Sequence, residues 1–109
     1  MTTRSLLLAV LLAACVGGGS GRRGGLPEEV VQTYPPEVAA SYRLFANRCS
    51  RCHTLSRPLN ASIVEYHHWE EYVARMRRHS GSGISPKDAE QILVFLKYYS
   101  EQKAKELEQ

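Results

Sequence analysis

Methionine occurs twice in the 109 residues, at Met1 and Met76, cysteine three times and histidine four times. Any chemistry that draws on sulfur or imidazole therefore has few residues to choose from. The apolar run Leu6–Leu12 is too short to span a bilayer. The formal net charge is only +3, and it falls further once Arg4 is removed with a leader. So small an excess gives nucleic-acid binding little support. Beyond Pro35 the folded part has fewer than about eighty residues, which makes a marginal core on its own.

Against this scarcity, two of the three cysteines stand three apart with a histidine directly after them, in Cys49-Ser50-Arg51-Cys52-His53. The pattern is the attachment signature of a c-type haem. The thiols of Cys49 and Cys52 add to the two vinyl groups, and His53 supplies the proximal iron ligand. On a helical turn, positions 49, 52 and 53 share a face and can meet one flat macrocycle. Two other uses of a Cys-x-x-Cys pair fit less well. A thioredoxin-like site wants a βαβ context, and a zinc site wants two further ligands at matching spacing. His67 and His68 are adjacent and suit a helix face poorly as a chelating pair.

The third cysteine needs its own explanation. Arg4, the apolar run and Ala13-Ala14-Cys15 read as an export leader. Leu12-Ala13-Ala14-Cys15 resembles the lipobox of bacterial lipoproteins, which implies cleavage before Cys15 and lipid on its sulfur. Two or more acyl chains then hold the protein on a membrane that no segment of it crosses. The organisation expected is a signal peptide over 1–14, a lipidated Cys15 with a tether over 15–35, and one domain over 36–109. Six of the eight glycines lie between Gly17 and Gly25, and Pro27 and Pro35-Pro36 follow. Such a stretch is expected to bury nothing and, at about twenty residues, to span on the order of 25 Å as a coil. Arg22 and Arg23 within it meet either anionic head groups or water alone.

Three helical patterns follow. Pro36 suits a first turn, and Val38, Tyr42 and Phe45 recur at helical spacing towards Cys49. Thr54 to Ser62 reads as a loop, with a carbonyl near Pro58 placed to accept the second N–H of His53. A second helix is predicted over about Val64 to His79, with Trp69, Tyr72, Val73 and Met76 on one stripe. In the third, Ser85 is the N-cap, Pro86 the first helical residue and Asp88 a carboxylate near the start. Its buried stripe is Ile92, Phe95, Leu96 and Tyr99, and it frays beyond Ser100. The class is all-α, with three main helices.

Met76 is the one thioether outside the leader, so it is the candidate distal iron ligand. The competing use is to fill core space beside Trp69 and Val73. His79, the His67/His68 pair and an open iron are the other candidates for that position.

From Val38 to Ser100 the chain resembles the small bacterial class I cytochromes c. The resemblance rests on Cys49–His53, on Trp69 to Met76, and on Ile84-Ser85-Pro86-Lys87-Asp88-Ala89 leading into Ile92 to Leu96. It implies a single covalent haem between crossing first and last helices, with the Tyr42/Phe45 face against the Ile92/Leu96/Tyr99 face. In the better-known pattern the distal methionine sits in a loop close before the final helix, whereas Met76 comes early and within a helix. The function implied is a membrane-tethered, one-electron carrier on the periplasmic side, serving larger redox proteins, with no side chain acting as acid, base or nucleophile. Arg48, Arg51, Arg57, Arg75, Arg77 and Arg78 form either a basic docking rim or an ordinary solvated face. A gas sensor, a peroxidase-like enzyme and a fixed subunit of a larger redox complex are the alternatives.

Overall fold

Proline at a first helical position loses no hydrogen bond and arrives with its backbone angle preset, and the first long helix of the computed structural model starts on Pro36. The structure describes residues 23–109; Cys15 and the leader lie outside them. In chain order the helices are α1 (Glu28–Val31), α2 (Pro36–Cys49), α3 (Ser56–Leu59), α4 (Tyr66–Arg78) and α5 (Pro86–Leu107). The fold is all-α, and there is no strand among the described residues.

Helix α5 is the hub, packing along both α2 and α4. Phe95 is fully buried at its centre. The ring of Phe95 lies 5.0 Å from those of Tyr42 and Phe45, 5.5 Å from Tyr99 and 6.3 Å from Tyr34. The expected contact between the faces of the first and last long helices is therefore present, centred on Phe95. On the other flank of α5, Trp69 and Val73 bring the stripe of α4 into the same core.

The start of α5 is locked by its own sequence. Ser85 Oγ accepts the Asp88 N–H at 3.0 Å, and the Asp88 carboxylate accepts the Ser85 N–H at 3.2 Å, a reciprocal capping box. The Arg48 Nε donates to the same carboxylate at 3.2 Å, which ties α2 to α5. The Ser85 amide first, and then Arg48, hold the Asp88 carboxyl below the usual carboxylate range. Because its folded-state pKa is depressed, the stabilisation is complete above the unfolded-state pKa and is lost as pH falls through the folded one. Asp88→Asn is accordingly expected to lower stability at pH 7 and to flatten the acid limb of the stability curve. Urea unfolding of both proteins from pH 7 to pH 3 checks this; curves that stay parallel would remove the carboxylate from the account.

Four features differ from the sequence expectations. Residues 26–35 are part of the folded unit: Val31 is fully buried, the Leu26 N–H donates to Tyr42 Oη at 2.7 Å, and Tyr34 stacks edge-on against Tyr98 at 5.0 Å. The expectation that 15–35 buries nothing fails here, because a few apolar side chains among prolines suffice once α2 and α5 offer them a groove. The stretch 54–62 is not all loop. Leu55 and Leu59 are buried four residues apart around α3, and Pro58 falls in its first turn, where amide hydrogens have no intrahelical partner. Helix α4 begins at Tyr66 and ends at Arg78, so His79 is its extended cap and not a helical residue. Finally, α5 runs past Ser100 to Leu107. Tyr99 Oη and Lys103 Nζ both donate to the Leu59 carbonyl at 2.9 Å, and the Lys103 ammonium sits 5.1 Å from the Tyr99 ring centre. Those contacts hold the last turns in place.

Candidate functional site

Cys49, Cys52, His53 and Met76 line one cleft of about 710 Å³. Two elements bring them there. The last turn of α2 carries Cys49, and the turn that follows presents Cys52 and His53. Across the cleft, Tyr72, Arg75 and Met76 come from one face of α4, spaced so that residues three and four apart share that face. His79 lines the cleft too, although it has left the helix.

The two thiols sit in different surroundings. Cys49 is 9% exposed, and burial pushes its thiol up to about 11, whereas Cys52 is open to solvent; both are free. Thiolate is the reactive form. In the unmodified polypeptide at pH 8, iodoacetamide is therefore expected to label Cys52 much faster than Cys49, with the two rates converging in denaturant. Peptide mass spectrometry gives the order, and equal rates in the folded chain would contradict the burial of Cys49.

His53 has its Nδ1 2.9 Å from the Thr54 carbonyl. A carbonyl only accepts, so Nδ1 carries the proton and the Nε2 lone pair is left for a metal, the usual arrangement of a ligating histidine. The carbonyl comes from the 54–62 stretch, as expected, but not from the neighbourhood of Pro58. The Pro58 oxygen takes the Ala61 N–H at 3.1 Å, and Thr54, directly after His53, serves instead.

Met76 is half-buried at the cleft and is not a member of the core that holds Trp69 and Val73. His67 and His68 are exposed in the first turn of α4, away from the cleft, and His67 lies 3.4 Å from Glu71. Of the six arginines considered for a rim, Arg48, Arg57 and Arg75 line the cleft. Arg51 and Arg77 turn towards Gly83 and the Ile84 carbonyl. No carboxylate lines the cleft among the described residues.

Protein-family models, curated proteins and solved structures offer no match to this chain. The site is therefore read from its own chemistry. No group of three or more His, Cys, Asp or Glu converges as a metal cluster among the described residues, which leaves Cys49 and Cys52 short of the four ligands of a structural zinc. A haem fits the residues better. The volume lies within the ~300–1,000 Å³ typical of cofactor clefts. The donor set combines two thiols, an oriented imidazole and a thioether with three guanidiniums suited to carboxylate groups. The Trp69 Nε1–H is buried without a partner among the described residues, beside Tyr72, whose ring centre lies 5.6 Å away and which itself lines the cleft.

Sequence reasoning placed Tyr72 on the apolar stripe of the second helix without giving it a role at the site. Tyr72 is a cleft wall, with the Arg75 guanidinium 5.7 Å from its ring centre, and Ser80 and Ser82 close the far side. A tyrosine one turn before Met76 on the same stripe was the available signal. For the serines there was none.

Proposed function

We propose that the chain is a monohaem c-type cytochrome, a lipid-anchored one-electron carrier on the periplasmic side of a bacterial membrane. The observation that carries this reading is the convergence of Cys49, Cys52, His53 and Met76, from two separate helices and a turn, on one cleft. Cys49 and Cys52 would hold the haem through their sulfurs, and His53 Nε2 and the Met76 sulfur would be the ligands of its iron. Bound haem supplies an iron that alternates between ferrous and ferric states. Every other contribution comes from the polypeptide. The Thr54 carbonyl fixes the imidazole, Tyr72 and Ile84 keep water from the cleft walls, and Arg57 and Arg75 bring positive charge towards the carboxylate groups of the cofactor. Donor and acceptor are taken to be larger redox proteins.

The test is an optical spectrum of the protein made in a host competent for cytochrome maturation. The expected result is a c-type spectrum whose pigment stays with the polypeptide after acidic acetone, and a reduced form that binds carbon monoxide slowly. Pigment that extracts freely, or its absence, overturns the reading. Rapid carbon monoxide binding would transfer it to the sensor or peroxidase class.

A further inference from the structure

The docked N-terminal arm shortens the tether that the sequence implied. The Arg23 carbonyl accepts the Leu55 N–H at 2.9 Å, two residues beyond His53. Gly24 follows with φ +73°, pressed so closely on α3 that a Cβ there would lie 2.6 Å from the Ser56 nitrogen. Only glycine meets both conditions, so the attachment point is built into the domain. Residues 16–22 are all that separate Cys15 from that point, and at full extension they reach about 28 Å. A domain of this size is about 30 Å across. The leash is thus no longer than the domain is wide, and the side opposite Arg23 cannot be turned onto the same surface.

The side that remains close is basic. Arg57 belongs to α3, one residue after Ser56, and lines the cleft together with Arg75. Arg23, Arg57 and Arg75 make no salt bridge among the described residues. Basic groups held near an anionic leaflet gain about 1 kcal/mol each. We propose that the face bearing Arg23 and Arg57, at the α3 edge of the cleft, lies on the anionic lipid surface to which Cys15 is anchored. This rests on the lipid-anchor part of the proposed function. Its consequence is that electrons pass to partners embedded in or lying on that membrane, approached in its plane.

The full acylated chain, reconstituted into phosphatidylglycerol vesicles and separately into nonionic micelles, is treated with phenylglyoxal, and arginine modification is read by peptide mass spectrometry. Arg23 and Arg57 are expected to react several-fold more slowly in the vesicles. Acylation of Lys87 with an amine reagent should be unchanged; this residue lies about 18 Å along α5 from Tyr99, which binds Leu59 at the end of α3. A variant with twenty Gly/Ser residues inserted after Val16 should regain the micelle rate. Equal rates of Arg57 modification in vesicles and micelles overturn the proposal, as does protection that persists with the long leash. The intact mass of the mature protein is read first. Absence of acyl groups on Cys15 would defeat the anchor itself, an outcome separate from an anchored domain that stands off the lipid.

Discussion

Phe95→Ala is expected to lower the unfolding free energy by about 3–5 kcal/mol, the range for truncating a buried aromatic ring. The site cannot easily collapse, because Phe95 is enclosed by Tyr34, by Tyr42 and Phe45 of α2 and by Tyr99 of α5, and the hydroxyls of Tyr42 and Tyr99 are fixed by hydrogen bonds. Domains of this kind have about 5–15 kcal/mol in total, so this loss is a large share of it. The consequence reaches the site, since α5 is the element that sets α2, which carries Cys49, against α4, which carries Met76. Val94→Ala, one position earlier and 43% exposed, serves as the control and should move stability by no more than about 0.5 kcal/mol. Urea unfolding followed by circular dichroism gives both values. Comparable losses in the two variants would mean that α5 does not turn this face inward.

The comparison of these two neighbours explains why much of the fold was legible beforehand. Helical periodicity separates position 95 from position 94 without any knowledge of the partner. Local signals did equally well where their physics is local. Pro36 begins α2, and Ser85, Pro86 and Asp88 begin α5, because a cap is made within one turn of chain. The failures share the opposite property. Val31 and Tyr34 are isolated apolar residues in a Gly/Pro-rich stretch, and the ring neighbours of Tyr34, Phe95 and Tyr98, lie some sixty positions downstream. Composition said tether, while a distant groove decided otherwise. The tail of α5 is the same case: its helix is completed by Lys103 reaching the Leu59 carbonyl, 44 residues away in sequence.

The site was legible to the extent that chemistry is written in spacing. Cys49, Cys52 and His53 are neighbours in the chain, and the end of α2 at Cys49 with the turn that follows is enough to place them in one cleft. Met76 was placed by scarcity, since no other thioether is present beyond the leader. What the sequence did not separate was Met76 from His79, which differ by three positions and fall on one helical face by periodicity alone. The structure separates them by backbone: Met76 is helical, and His79 caps the helix in an extended conformation. The helix stops there because Ser80 to Gly83 fold back, with Ser82 Oγ donating to the Arg77 carbonyl at 3.1 Å and Gly81 and Gly83 at positive φ.

Met76→Ala is the substitution expected to change function most. Under the cytochrome reading the variant loses the methionine-to-iron charge-transfer band, its midpoint potential falls, and its reduced form binds carbon monoxide rapidly. The direction of the potential follows from the ligand: an axial methionine opposite histidine raises it relative to nitrogen or oxygen ligands. Stability distinguishes this role from the alternative of core filling. A buried methionine cut to alanine costs about 2–5 kcal/mol, but Met76 is half-exposed at the cleft and stands outside the core cluster. The variant should therefore keep its helical circular dichroism, with little change in the urea midpoint of the polypeptide before haem attachment. His79→Ala is the companion experiment, expected under the same reading to leave both band and potential in place, although His79 lines the same cleft. A band that survives in Met76→Ala, or one that disappears in His79→Ala instead, would take the distal position away from Met76. It would leave Cys49, Cys52 and His53 untouched, since those residues enter the cleft from α2 and the turn after it.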